Sequence, residues 1–386
     1  MWKTRLIWLL IVLAALSLYL FENNGGTRVI LAAVVLLPVC SGAVLFLPPA
    51  HLSARLEVSP ARRRGEAVPC RLILQNGAKL PLLSVRCEVQ VRNLFTGEQG
   101  ALGFSTAVGA GQEAGTAFSV TPLHCGRLTV SVSGLWSVDT FGLFARKLPC
   151  DAVGAAMVGP ETYPVELSLA DTADFLIDSQ RYSTQRPGYD PSETFRIREY
   201  VPGDPIRQIH WKLTEKADTV LVRDFGLPIV SDMLLLLETT SVADAAIDLE
   251  RMDAALDLFA SVSRALILQD VPHTAGWQDS VSGDYQSVDI HSAEDLADLL
   301  DRILSAPLGR GDSTVCGCYG KNRLQCAYAH IAVFSSYAQP DLAPLCHGNR
   351  VTVLLPWEGS GDLGLEEHHV PVQHTQLTEG ALSLEL

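Results

Sequence analysis

Side chains that could do chemistry are densest in residues 196–225, where charged, aromatic and turn residues alternate; we call this stretch the charged segment. Its composition would let His210 act as a general acid–base group with Asp204 or Glu199, and Arg207 could clamp an anion. The chain has no G-x-S-x-G nucleophile motif and no glycine-rich phosphate loop. We therefore predict a binding surface without catalytic residues. The predicted binding residues are Arg198, Glu199, Tyr200, Gly203, Asp204, Arg207, His210, Trp211, Lys212 and Arg223.

The charged segment also predicts its own local structure, which is a turn, a helix and a strand. Pro202–Gly203 is a turn signal, and Asp204 has the side chain of an N-cap that accepts unpaired helix amides. Pro205 would then occupy the first position of a helix over Pro205–Ala217, and a strand would follow over Thr219–Phe225. Histidine and tryptophan on such a helix are typical of an interface, so we predict an inter-domain lock or a partner-docking surface.

Two charge-free apolar runs lie near the N-terminus, Leu6–Phe21 and Val29–Leu47. Each is close to the roughly 20 residues that cross a bilayer. The connector Glu22–Arg28 contains Asn-Asn-Gly-Gly, a turn signal, so the sequence predicts a transmembrane hairpin over residues 1–50. A cleaved signal peptide is the alternative, although no small-x-small site follows Phe21 and a second apolar run comes at once.

The distribution of basic residues predicts the orientation of this hairpin. Lys3 and Arg5 precede the first run, Arg55 and Arg62–Arg64 follow the second, and the connector holds only Arg28. The positive-inside rule then places both ends of the chain in the cytoplasm. We therefore expect a two-pass plasma-membrane protein that contacts the lipid bilayer and whose soluble domains face the cytoplasm.

The overall charge and the cysteines limit the classes of partner and the compartment. The net charge is −14, which argues against nucleic acid as a partner because phosphate binding needs a basic surface. The nine cysteines lie mostly in apolar, strand-like runs, as reduced core thiols do. Reduced thiols agree with a cytoplasmic location.

Residues 51–150 are predicted to form an immunoglobulin-like β-sandwich. Short alternating runs are separated by Gly, Pro and Asn at about the 8–12-residue spacing of such domains. Asp139, Phe141 and Gly142 belong to a predicted structural turn in which the glycine adopts a positive φ. Residues 151–229 are predicted to be a linker that includes the charged segment. The predicted strands are Ala54–Val58, Val68–Gln75, Leu83–Val91, Thr116–Thr121, Gly126–Ser133 and Val138–Arg146.

Residues 230–386 alternate strands with helices, which is typical of a mostly parallel, doubly wound α/β sheet. Ligands of open α/β sheets bind at the carboxyl edge of the strands, so a site of this domain would lie there. The predicted strands are Asp232–Glu238, Val271–Trp277, Thr314–Tyr319, Ile331–Ser335 and Val351–Leu355. The predicted helices are Ala243–Leu268 and Ala293–Leu304.

The charged segment resembles the signature of the domain of unknown function 58 family, R-E-Y-x-x-G-D-x-x-R-x-I-H-W-K followed by a strand ending V-R-E-F. Almost every position matches; Asp224 replaces the usual Glu, and Glu215–Lys216 stands where a small residue and Arg are common. The resemblance implies a membrane protein with a von Willebrand factor type A-like C-terminal domain. It also implies work beside a MoxR-type AAA+ ATPase, often with a transglutaminase-like membrane protein. We therefore expect a non-enzymatic, membrane-anchored adaptor in a cell-envelope or complex-assembly process, without a cofactor.

Type A domains place a D-x-S-x-S motif after the first buried strand, where a carboxylate and two hydroxyls bind Mg²⁺. Here Glu238 stands in for the Asp and Thr240 for the first Ser, but Val242 replaces the second Ser. Because too few oxygen ligands are left, we predict no metal site and a degenerate type A-like domain. The alternatives are a metal-dependent ligand-binding type A domain and an enzyme that uses His210 with Asp204.

A zinc site is also disfavoured. Its candidate ligands would be Cys316, Cys318, Cys326, His330, Cys346 and His347. Their spacing lacks the usual C-x₂₋₄-C pair. If Cys316 and Cys318 lie on one strand, as predicted, they point to the same side, which suits packing.

Overall fold

A computed structural model describes most of the chain, and its contacts divide the protein into two units, Met1–Val158 and Gly159–Leu386. The described residues are 2–22, 24–46, 52–60, 63–168, 190–217, 219–226, 233–241, 248–311, 313–321, 328, 330–338, 342, 345, 350–356 and 368–385. Several residues of the sequence predictions lie outside them, namely Arg62, residues 169–189 of the linker, Val242, Cys326, Cys346 and His347.

The first unit begins with two apolar helices, α1 (Trp2–Phe21) and α2 (Gly25–Phe46). Both are long and apolar enough to cross a membrane, with mean hydropathies of 2.1 and 1.8 over their candidate spans. α2 begins before the predicted Val29 because Asn24 caps it. The Asn24 side chain accepts the Thr27 amide at 2.9 Å. The connector is therefore shorter than predicted.

The rest of the first unit is a β-sandwich of two antiparallel sheets, β1-β2-β5 and β4-β3-β6-β7, with β8 also pairing with β6. Alternate side chains of both sheets fill one core, among them Leu72 of β2, Val89 of β3 and Val130 of β6. The predicted all-β region is thus confirmed. The strands are β1 Leu52–Val58, β2 Val68–Asn76, β3 Leu82–Asn93, β4 Gln99–Val108, β5 Glu113–Val120, β6 Gly126–Val138, β7 Ala145–Leu148 and β8 Val153–Val158.

Three details of the sandwich differ from the sequence prediction. β4 has no predicted counterpart, because most of its residues are exposed and it lacks a clear apolar alternation. Val138–Arg146 is not one strand, since the chain turns at Asp139–Phe144 and β7 begins only at Ala145. β8 lies in the predicted linker and pairs antiparallel with β6.

The second unit is built around a six-stranded sheet in the order β15-β14-β12-β17-β18-β19. Its strands are β12 Met233–Leu237, β14 His273–Gln278, β15 Tyr285–Ile290, β17 His330–Phe334, β18 Arg350–Pro356 and β19 His369–Val372. All neighbours are parallel except β14 and β15. The predicted, mostly parallel sheet is confirmed. Counted along the chain, the order is 3-2-1-4-5-6, which places a topological switch point between β12 and β17.

The remaining elements of this unit flank the sheet or pair in twos. They are β9 Glu166–Ser168, β10 Asp190–Glu199, a 3₁₀ helix Ile206–Gln208, α3 Trp211–Ala217, β11 Leu221–Gly226, β13 Thr240–Ser241, α4 Leu249–Leu268, α5 Ala293–Ser305, β16 Gly309–Arg310, α6 Val315–Lys321, α7 His374–Thr378 and β20 Ser383–Glu385. α5 begins where the sequence predicts, because Ser292 and Asp295 form a capping box.

The sequence predicts the wrong secondary structure for one element of the second unit. The predicted strand Thr314–Tyr319 is the helix α6. Val315, Cys316, Cys318 and Tyr319 are buried on it, and this spacing fits a helical period. The argument that the two cysteines share one face of a strand is therefore wrong, although both thiols are buried in the core as expected.

Candidate functional site

The charged segment forms a two-stranded antiparallel sheet with a helical insertion. β10 pairs with β11, and in this register Arg196 lies opposite Asp224 and Arg198 opposite Val222. The backbone of this insertion also contacts β11, because the His210 amide donates to the Leu221 carbonyl at 2.8 Å. The sequence prediction placed β10 partly in an irregular linker, because pairing with β11 is not visible locally.

Asp204 does not cap a helix, and that prediction is wrong. Its carboxylate is bound bidentately by the Arg198 guanidinium, with Nη1 to Oδ2 at 2.7 Å and Nη2 to Oδ1 at 2.8 Å. The Val201 amide donates to Oδ2 as well, at 2.9 Å. Two charge-assisted bonds outweigh the neutral amides of a helix start. These contacts lower the pKa of Asp204 from its usual 3.8 to about 2, first through Arg198 and then through Val201.

The predicted helix Pro205–Ala217 is broken in two. A 3₁₀ turn covers Ile206–Gln208, Ile209 is extended, and α3 begins at Trp211. The break has a tertiary cause, because Ile209 forms a β-bridge with Val222 of β11.

Asp224 joins the same network from the opposite strand. Its Oδ2 accepts from Arg196 Nε at 2.9 Å and from Arg198 Nε at 3.2 Å. Asp224 is buried, so its charge requires these partners. Arg198 thereby bridges two carboxylates, which raises its pKa further above the usual value. Arg196 and Asp224 are absent from the predicted site; the sequence signal was the Arg-x-Arg alternation facing an acidic residue in the next strand.

His210 has a structural contact instead of an acidic partner. It precedes the first residue of α3, and its Nδ1 accepts the Leu213 amide at 3.4 Å. Its backbone carbonyl also accepts the Leu213 and Thr214 amides, both at 3.0 Å. Among the described hydrogen bonds and ion pairs, none joins His210 to Asp204. His210 therefore has the position and contacts of a helix cap.

Several apolar side chains of this region remain exposed, although a network of ion pairs holds the backbone. Ile206 is 71% exposed, Trp211 65% and Val201 57%. Tyr200 and Val220 are exposed too, and the Tyr200 amide donates to the Val220 carbonyl at 2.9 Å, which places them side by side. Exposed apolar residues on a fixed backbone are a common feature of protein-binding surfaces.

The other predicted residues belong to the same segment. Arg207, Lys212 and Glu199 are exposed. Gly203 has a φ of +113° in the turn before the 3₁₀ helix, as its predicted turn role requires. Arg223 stacks over the Phe225 ring at 5.1 Å from the guanidinium carbon to the centroid. The structure thus brings the predicted residues together in one region.

The carboxyl edge of the central sheet is the second candidate site, and Glu238 is its centre. This residue is fully buried directly after β12. Its Oε1 accepts from both the amide and the hydroxyl of Thr240, and its Oε2 accepts the Val315 amide at 2.9 Å. Val315 begins α6. Both carboxylate oxygens thus bind donors of the chain itself and tie β12 to α6, a role that sequence reasoning missed.

Neighbouring hydroxyls at this edge are likewise engaged by the backbone. Ser335, directly after β17, donates to the Tyr337 carbonyl at 2.7 Å. Thr239 donates to the Gln278 carbonyl at 3.3 Å. Within the described part of the chain, no three His, Cys, Asp or Glu side chains come together as a metal site would require.

Comparisons with known proteins add distant structural similarities only. No family model and no curated protein matches the sequence. The CARDB domain of the PF1109 protein from Pyrococcus furiosus is 14% identical with a TM-score of 0.22, over 29% of this chain and 90% of that one. The Pseudomonas fluorescens alkylpurine DNA glycosylase AlkC is 16% identical with a TM-score of 0.21, over 36% of this chain and 41% of that one. TM-scores of this size support no argument about fold or function.

Proposed function

We propose that the protein is a non-enzymatic membrane adaptor whose charged segment docks a protein partner. One observation carries the proposal: the Arg198 network fixes the segment internally while Ile206 and Trp211 remain exposed. Aromatic anchors of this kind dominate the binding energy of protein interfaces. On the resemblance of the motif, the partner is a MoxR-type AAA+ ATPase, with a transglutaminase-like membrane protein as a further component.

The finer fold assignment belongs to the same proposal. We assign the second unit to a degenerate von Willebrand factor type A-like domain and the sandwich to an immunoglobulin-like type. The 3-2-1-4-5-6 strand order with one antiparallel edge strand supports the first assignment. In this proposal Glu238 has exchanged metal ligation for a structural role, because its oxygens bind Thr240 and Val315.

A structural role for His210 is favoured over catalysis by its contacts. Its Nδ1 accepts a backbone amide, and the carboxylate of Asp204 is bound by Arg198. A general acid–base pair would need the two side chains within hydrogen-bond reach of each other. His210→Gln should therefore preserve function in a complementation assay. Loss of function in a folded, partner-binding His210→Gln protein would instead establish chemistry at this site.

Partner capture tests the docking surface directly. The full-length chain in detergent would be immobilised and its capture of a purified MoxR-type ATPase measured. The double variant Ile206→Ala/Trp211→Ala should reduce capture at least ~10-fold, because removing a buried aromatic anchor typically costs more than about 1–2 kcal/mol. Val281→Ala is the matched control, since Val281 is 77% exposed elsewhere in the second unit. Unchanged capture by the double variant would refute the docking assignment.

The proposed orientation places the β-sandwich and the second unit in the cytoplasm, and the basic residues flanking the two apolar helices support it. Reporter fusions at Gly100 and at the C-terminus test this directly. Both fusions should be active with a cytoplasmic reporter and silent with one that works only outside the cell. The reverse pattern at either position would overturn the orientation.

A further inference from the structure

The turn between β6 and β7 is packed against the ends of both apolar helices. Arg5 of α1 donates from Nε to the Leu143 carbonyl at 2.9 Å. The rings of Trp8 and Phe141 lie with their centroids 5.0 Å apart. Arg5 and Trp8 belong to the first two turns of α1, so this contact lies at one end of the helical pair. If the helices cross a membrane, the turn therefore lies at the bilayer surface.

The same turn also contacts the end of α2. A β-carbon at Gly42 would lie 2.8 Å from the Phe144 ring, so only glycine permits this close approach. The turn itself is held by Asp139, whose carboxylate accepts the Phe144 amide at 2.7 Å and the Phe141 amide at 3.1 Å. The sandwich and the helix ends of this unit thus share a defined, packed contact.

A cavity of about 710 Å³ opens beside this contact. It is lined by the last part of α2, including Leu37, Cys40 and Leu45, and by residues 78–83, which form the loop before β3 and the start of that strand. The volume lies within the roughly 300–1,000 Å³ of ligand pockets. Its lining is mostly apolar, and it continues directly onto the apolar surface of a candidate membrane span.

The rim of the cavity combines cations with exposed leucines. Lys79 is exposed at the rim, and Arg146 donates to the Leu45 carbonyl at the end of α2, at 3.4 Å. Leu80 and Leu83, which also line the cavity, are 47% and 64% exposed. Leucines beside a lysine suit a membrane surface, where the chains enter the acyl region and the cation stays among headgroups.

We propose that this cavity binds one phospholipid with an anionic headgroup. The acyl chain lies along α2 inside the apolar cavity, and the phosphate lies against Lys79 and Arg146. The occupant comes from the bilayer that surrounds α1 and α2, so no soluble ligand has to reach the site. The proposal depends on the two helices spanning a membrane, and it is independent of the adaptor role.

Lipid retention by the full-length chain in mild detergent tests the site by native mass spectrometry. The wild-type chain should retain one phosphatidylglycerol in preference to phosphatidylcholine of the same acyl length. Lys79→Gln should lower phosphatidylglycerol retention about fivefold. Retention of phosphatidylcholine should fall less, because its choline group already neutralises the phosphate. Lys147→Gln is the matched control, because Lys147 is exposed on β7 next to Arg146 and does not line the cavity. Equal effects of the two variants would overturn the headgroup assignment.

Filling the cavity tests the acyl chain separately. Cys40→Phe adds bulk to the α2 wall and should reduce retention of both lipids. Ala78→Phe adds bulk from the loop before β3 and replaces the first variant if Cys40→Phe fails to fold. Glycerol phosphate should not displace bound lipid; displacement would mean that only a headgroup is recognised. Unchanged retention in a folded cavity-filled variant would refute the site. Recovery of the wild-type chain outside the membrane fraction of cells would overturn its premise that the helices span a membrane.

Discussion

Two carboxylates of the second unit, Asp204 and Glu238, organise their surroundings in opposite ways. Asp204 is paired with a cation, Arg198, at a partly exposed position. Glu238 is fully buried and is held by neutral donors of Thr240 and Val315. The Arg198–Asp204 pair holds the backbone of the charged segment, while the apolar side chains of Ile206 and Trp211 remain exposed. Glu238 joins the end of β12 to the start of α6 at the carboxyl edge of the sheet.

The difference explains why the two sites support different functional conclusions. The carboxyl edge of the sheet is the usual ligand site of open α/β folds. Here the acidic residue at that edge, Glu238, already accepts hydrogen bonds from two backbone amides. A charged segment is usually a solvated surface, but here two of its arginines and two of its aspartates pair with one another, while Trp211 and Ile206 remain exposed. The contrast can be tested through the stability that each carboxylate provides.

Removal of the buried carboxylate should have the largest effect on stability. Glu238→Ala leaves the Thr240 and Val315 amides without their acceptor, and unsatisfied buried donors cost about 1–3 kcal/mol each. A loss of about 3 kcal/mol corresponds to a melting temperature lowered by roughly 6–12 °C for a unit of this size. Glu238→Gln keeps one carbonyl acceptor and should lose less. Thermal unfolding of the full chain measures both; equal losses would contradict the hydrogen-bonding role.

Removal of the bridging cation should have the next largest effect. Arg198→Ala leaves Asp224 buried with one fewer partner and frees Asp204 from its bidentate contact. We expect the melting temperature to fall by a few degrees and capture of the proposed ATPase partner to fall with it. Arg198→Lys should restore little, because an ammonium cannot reproduce the planar fork that bridges two carboxylates. Full rescue by lysine would show that only charge matters at this position.

The sequence predicts most accurately those elements whose signals are local. β12 is a run of apolar residues, and α5 combines an amphipathic period with the Ser292–Asp295 capping box. Both are predicted within a residue or two. The Thr314–Tyr319 prediction fails because a short buried run of mixed residues fits a strand and a helix equally well. In α6, the buried positions 315, 316, 318 and 319 follow the helical period.

The candidate site is predicted in its residues but not in its geometry. The motif identifies the region, yet the partner of Asp204 is chosen by tertiary structure. Arg198 is positioned by the pairing of β10 with β11, which joins residues more than twenty positions apart. An aspartate directly before a proline predicts a helix N-cap from local sequence alone. In the folded chain the Arg198 guanidinium binds both carboxylate oxygens of Asp204 instead. Glu238 and Val315 are likewise brought together only by the fold.

The cation-paired carboxylate should also make the charged segment sensitive to acid. The pKa of Asp204 is lowered to about 2, so its contribution to stability is complete above its usual 3.8 and is lost as the pH falls towards 2. The wild type should therefore exceed Asp204→Asn in melting temperature at pH 6, and the difference should be much smaller at pH 2, where about half of the Asp204 carboxyls are protonated. Glu215→Gln, at an exposed position on α3, serves as the control. A difference that persists unchanged at pH 2 would contradict the ion pair.

The smallest effect on stability is expected for Trp211, the proposed anchor of the docking surface. Trp211 is 65% exposed at the start of α3, so Trp211→Ala should change the free energy of unfolding by no more than about 0.5 kcal/mol. Partner capture should nevertheless fall sharply, because an exposed indole contributes energy only when a partner covers it. The two measurements separate docking from packing. A variant that melts several degrees lower would show that Trp211 stabilises the fold, and its loss of capture would then follow from unfolding.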